Sequence, residues 1–105
     1  MTRVVNYRVE RGEISIMRRR HGMHFGNPFS HMPGTLGTVA VASRHEAVQR
    51  FRTWLSGETD CEVEPERRAW ILEGLPVLRD AVLECCCKPA ECHGDVLVEL
   101  IKEMK

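Results

Sequence analysis

Residues 84–100, ECCCKPAECHGDVLVEL, hold four of the chain's five cysteines and one of its five histidines. Thiols and an imidazole this close together support three kinds of chemistry, and the sequence leaves all three open. Cys85, Cys87, Cys92 and His93 offer the three thiolates and one ring nitrogen that zinc accepts, although C-x-C-x4-C-H is neither a zinc-finger nor a zinc-ribbon spacing. Alternatively, Cys92 lies at a helix start, where unpaired N–H groups and the helix dipole favour a thiolate. It is then a candidate nucleophile, with His93 or Asp95 as base or orienting group. The same helix start suits a phosphate or carboxylate, and Gly94 lets the backbone approach it. Third, free cysteine packs as a small hydrophobe, so a strand ending in three of them can be core alone.

A second stretch carries polar groups on irregular backbone. Residues 18–37, RRRHGMHFGNPFSHMPGTLG, include four glycines, two prolines and three histidines. A loop of this length is uncommon in a small domain and more often functional than idle. The amide of Asn27 can orient a ligand through its donor and its acceptor, or it closes a turn before Pro28. Arg18 and Arg19, with Arg20, are phosphate contacts or a solvated charge run. His21, His24 and His31 have no recognised ligand spacing and read as surface histidines.

The elements that must position these groups follow from patterning. RVVNYRV (residues 3–9) and EISIM (13–17) read as strands, and with only residues 10–12 between them a hairpin is expected. Residues 39–42 suggest another short strand. Ser43 and Glu46 match a capping box, and Ala47, Val48, Phe51, Trp54 and Leu55 form one helical face that ends at Ser56-Gly57. Pro65 suits the first turn of a second helix, with Trp70, Ile71, Leu72 and Leu75 on its apolar side. Pro76 should break it, and Leu78 begins a further short helical piece. Residues 81–86 read as a buried strand and residues 95–103 as a final helix. If the strand stays extended to Cys87, then Cys85 and Cys87 share a face while Cys86 points away and packs. Cys92 and His93 then face the strand end across residues 88–91, at the kind of strand-to-helix junction where open α/β sheets place ligands. The expected fold is a single α/β domain over residues 1–105, with a small sheet of about three to four strands flanked by about three helices.

Composition narrows the function classes. A chain of 105 residues builds one modest core, and 43% hydrophobic with 29% charged residues is a soluble globular composition. No run approaches the roughly 18 apolar residues of a membrane span. The N-terminal residues lack an apolar segment with a cleavage site, so a cytoplasmic location is expected. An odd number of cysteines in a reducing compartment argues against a disulfide framework. Net charge is zero, yet residues 1–52 carry nine basic against three acidic residues and the remainder six against twelve. That asymmetry suits an anionic partner at the basic end, or two halves that attract each other on folding. Three Phe, two Trp and one Tyr argue against base stacking as a mode of nucleic-acid recognition.

Three blocks of this sequence resemble the small bacterial and phage family named domain of unknown function 4326. They are RVVN at 3–6, GNPF at 26–29 and CxCKPxxCHGDVLxEL at 85–100; EAVQRFRTWL at 46–55 is similar to the family's amphipathic helix ending in Trp-Leu. A more distant similarity runs to another uncharacterised family whose strand ends in Cys and whose next helix opens Cys-His-Arg. The resemblance implies an α/β domain in which the Gly-Asn-Pro-Phe loop and the Cys-His block belong together, and it brings no settled activity. Its candidates are Asn27, Cys85, Cys87, Cys92, His93 and Asp95. Cys86 departs from a position often held by tryptophan, and RRRHGM at 18–23 replaces a Gly-Arg-Pro type of segment.

The functional expectation is therefore a Cys/His pocket that binds an anionic, nucleotide-like small molecule. Arg18, Arg19, Asn27 and Gly94 would contact the ligand, and Cys92, His93 and Asp95 would act on it. The alternatives are a zinc-binding module through Cys85, Cys87, Cys92 and His93, and a nucleic-acid- or protein-binding accessory factor using the Arg-rich loop.

Overall fold

The computed structural model describes residues 1–19, 22–32 and 38–104. In chain order it contains β1 (Arg3–Asn6), β2 (Ile14–Ser15), β3 (Phe29–Ser30), β4 (Val39–Ala40), α1 (Arg44–Ser56), α2 (Pro65–Gly74), a 3₁₀ turn (Leu75–Leu78), β5 (Val82–Cys85) and α3 (His93–Glu103). The α/β fold expected from the sequence is present, with three helices and two small sheets.

The main sheet has the order β1-β5-β2, and both pairings are parallel. Val4 and Ile14 both register against Leu83, so the hairpin expected between the first two strands does not form. The physical reason is β5, whose Leu83 and Cys85 are almost wholly buried and which takes a partner on each edge. The chain from β1 to β2 instead crosses one face of β5. Gly12 makes that crossing possible, because a Cβ there would lie 2.8 Å from Glu84 Cβ. Buried Glu84 accepts hydrogen bonds from Arg11 Nε at 2.7 Å and from the Gly12 N–H at 3.3 Å. The second sheet pairs β3 with β4 in parallel, and β3 lies inside the stretch that reads as unbroken loop.

Helix α1 matches its pattern. The Ser43 side chain accepts from the Glu46 N–H, and Gly57 ends the helix at φ 84°. Its buried face is Ala47, Val48, Phe51, Trp54 and Leu55. Pro76 does not end α2 abruptly; the chain tightens into the 3₁₀ turn, which buries Leu75 and Leu78. Trp70 stays partly exposed, its ring 4.8 Å from Phe25, and buried Arg67 takes the inner face by donating to the carbonyls of His24 and Gly26. Helix α3 begins at His93, two residues before the expected start. It covers the face of the sheet opposite the crossing, and Gly94 sits close enough for a Cβ to meet Ile16 Cδ1 at 2.7 Å and Val4 Cγ2 at 2.9 Å. Among the described residues no helix is long and apolar enough to cross a membrane.

Candidate functional site

The carboxyl ends of β5 and β2 open onto a cleft of about 410 Å3. Cys85, Cys87 and Cys92 form one wall, Arg18 and Asn27 another, and Arg44 stands at the start of α1 beside Ala47 and Val48. This is where an open α/β sheet leaves room for a ligand.

β5 ends at Cys85, and the following junction is tied down at several points. Cys92 is the N-cap of α3. Its Sγ accepts the Gly94 N–H at 3.4 Å, while Asp95 Oδ2 takes the Cys92 N–H at 3.2 Å. Asp95 Oδ1 pairs with Lys88 Nζ at 2.6 Å, and the Lys88 carbonyl accepts Asn6 Nδ2 at 2.7 Å. This frame sets Cys92 Sγ 3.3 Å from Cys85 Sγ, with both residues 1% exposed.

The thiols share their protons. Hydrogen bonds from Cys87, then from Cys92, lower the pKa of Cys85 to about 2. The bond to Cys85 raises Cys87 to about 11, and bonds to Cys85 and Cys87 together with burial raise Cys92. S–H donors beside Cys85 thus favour its thiolate form, and charge on one of these thiols opposes charge on the next. His93 behaves differently. Its Nε2–H donates to the Ile16 carbonyl at 2.8 Å, which leaves the Nδ1 lone pair 3.8 Å from Cys92 Sγ. Phe51 packs edge-on at 5.1 Å, and burial lowers the imidazole to about 4. His93 is therefore neutral at neutral pH, with its proton on Nε2.

The basic side of the cleft is equally committed. Arg18 donates through Nε to the Asn27 carbonyl and through Nη2 to the Phe29 carbonyl at 2.9 Å. Burial lowers its pKa, against the pull of Cys87 and Cys86. Asn27 donates through Nδ2 to the Ala47 carbonyl at 2.9 Å, and its Oδ1 accepts the Phe29 N–H at 2.9 Å. One end of that amide ties the loop to α1, and the other closes the turn at Phe29.

Of the residues expected to form a site, Cys85, Cys87, Cys92, His93, Asn27 and Arg18 line this one cleft. Arg19 is exposed and lies off it. Gly94 approaches the sheet, and Asp95 faces Lys88 and the helix start. Cys86, expected to pack inward, is exposed at the cleft because the strand stops one residue before it. His31 also lines the cleft, while His24 is half-buried elsewhere and accepts the Gly26 N–H. Arg20 and His21 lie outside the described residues. Among the described residues no group of three or more Cys, His, Asp or Glu side chains is arranged to hold a metal ion. Arg44 also lines the cleft, outside the residues expected from the sequence; its one local signal is its place just after the N-cap Ser43.

Fold and site together define a small α/β domain with a parallel three-stranded sheet and a thiol-lined cleft at the carboxyl ends of its strands. The chain belongs to the family described as domain of unknown function (DUF4326), which it matches over residues 2–103. No curated protein and no solved structure gives a match.

Proposed function

We propose that the cleft binds a small anionic molecule of about nucleotide size. The observation that carries this reading is the convergence of Arg18 and Arg44 on one cleft of about 410 Å3. Arginine side chains favour phosphate or carboxylate groups. The apolar floor of Phe29, Ala47 and Val48 suits the non-polar part of such a ligand. The volume lies within the roughly 300–1,000 Å3 range of small-molecule sites.

In this reading Arg44 supplies an exposed charge at the rim and Arg18 a fixed donor at the wall. Asn27 and Asp95 position the loop and the helix start. Of the thiol, imidazole and carboxylate expected to act together, the thiols supply the reactive side, because His93 is too weak a base at neutral pH to hold a proton from Cys92. A reducing compartment such as the cytoplasm would keep those thiols free.

The test is calorimetric titration of the full chain with inorganic phosphate, pyrophosphate and nucleoside mono-, di- and triphosphates, at low and moderate salt. At least one is expected to bind saturably, with affinity reduced about tenfold or more by Arg44→Glu and unaffected by Arg19→Glu. Absence of binding at millimolar concentration across the panel, or equal binding by Arg44→Glu, would overturn the reading.

A further inference from the structure

We propose that Cys85 and Cys92 are a redox pair, which a peroxide converts into a reversible disulfide within the cleft. The two sulfurs lie 3.3 Å apart, one fixed at the end of β5 and the other at the N-cap of α3. A disulfide bond is about 2.05 Å long, so the sulfurs need to close by only about 1.3 Å. Both cysteines line the cleft, which gives a molecule as small as hydrogen peroxide a route to them.

The chemistry balances with that oxidant. The Cys85 thiolate attacks one peroxide oxygen, the O–O bond breaks, and hydroxide leaves with the negative charge. Cys85 is now a sulfenic acid, oxidised by two electrons while the peroxide is reduced. Cys92 sulfur then attacks Cys85 sulfur and the S–O bond breaks. The hydroxyl group departs with the Cys92 proton as water. Thiolate, thiol and peroxide thus give disulfide, hydroxide and water, and an added dithiol reverses the bond by exchange.

Two features of the junction favour this outcome over deeper oxidation. The resolving thiol is already in contact with the sulfur that is oxidised. A disulfide sulfur also keeps lone pairs, so Cys92 can continue to accept the Gly94 N–H and cap α3. Exposed Cys61, whose Sγ donates to the Gly57 carbonyl, and exposed Cys86 serve as internal comparisons.

The test treats the full reduced chain with one equivalent of hydrogen peroxide, unfolds it, alkylates the remaining thiols and cleaves after glutamate. Cleavage at Glu84 and Glu91 separates Cys85, Cys86 and Cys87 from Cys92. The expected product is a linked pair of these peptides, joined from Cys85 to Cys92 by fragmentation and released by dithiothreitol. Full alkylation of Cys92 overturns the proposal, as does linkage through Cys86 or Cys87, or oxidation confined to Cys61 and Cys86. A Cys86→Ser chain, altered only at an exposed thiol, must give the same linked pair. The readout needs no bound ligand, so it stands or falls apart from the anion-binding reading.

Discussion

The Nε2–H of His93 donates to the carbonyl of Ile16 at 2.8 Å and joins the first turn of the last helix to the chain leaving β2. That bond fixes the tautomer of a buried ring and holds one end of the cleft to the sheet. Among the described residues no buried side-chain nitrogen or oxygen lacks a partner. The polar groups around the cleft are thus used in building it, and their substitution should be felt first in stability.

For His93 the effect depends on pH. The unfolded chain takes up a proton at His93 below about pH 6.5, whereas burial holds the folded-state value at about 4. The contribution of the neutral ring is fully present above the unfolded value and is lost as pH falls from about 6.5 toward 4, by about 3 kcal/mol. Urea unfolding at pH 7 should find His93→Gln less stable by about 1–3 kcal/mol, and the gap should narrow by pH 4.5. A gap that does not change with pH rejects the buried neutral imidazole.

Asn27→Ala should cost about 1–3 kcal/mol, because the Phe29 N–H loses its partner in the interior and the Ala47 carbonyl loses the bond that ties the loop to α1. Asn27→Asp should be worse, since it sets a carboxylate oxygen against the Ala47 carbonyl. Denaturant midpoints check both. Unchanged stability in Asn27→Ala would mean that the amide does not hold the loop to α1.

What the sequence made legible was local. The capping box at Ser43 and the spacing from Ala47 to Leu55 lie within one helix and specify it without outside help. The Cys-His block is contiguous, so its meeting of strand end and helix start could be read directly. The expected hairpin does not form because the partner of both first strands is β5, almost seventy residues beyond β2, and nothing near Glu10 or Gly12 announces it. Arg44 reaches the cleft through the packing of α1 beside α3, a tertiary contact with no local signature. For Asp95 a signal did exist: an acid three residues after Cys92 is the N-cap to N3 spacing.

Gly94→Ala opposes two effects of different size. Alanine improves helix propensity by about 1 kcal/mol, but the new methyl group would lie 2.7 Å from Ile16 Cδ1 and 2.9 Å from Val4 Cγ2. Ile16 is wholly buried and has little space in which to move. Overpacking at such a site costs about 1–3 kcal/mol, so a net loss of stability is expected by thermal or urea unfolding. A stabilised Gly94→Ala chain would show that the contact between α3 and the sheet is looser than these distances.

Cys92 joins two roles that substitution can separate. As N-cap it accepts the Gly94 N–H, and as a thiol it donates to Cys85. Serine can do both, so Cys92→Ser should stay within about 1 kcal/mol of the parent, whereas Cys92→Ala loses the cap and about 1–2 kcal/mol with it. Charge sharing adds an independent readout. The Cys85 thiolate is held down by donors from Cys87 and Cys92, so removing one should move the thiolate absorbance titration to higher pH in Cys92→Ala and leave it nearly in place in Cys92→Ser. If the alanine variant loses stability while its thiolate titrates unchanged, Cys92 is a cap alone and the three thiols do not hold a common charge.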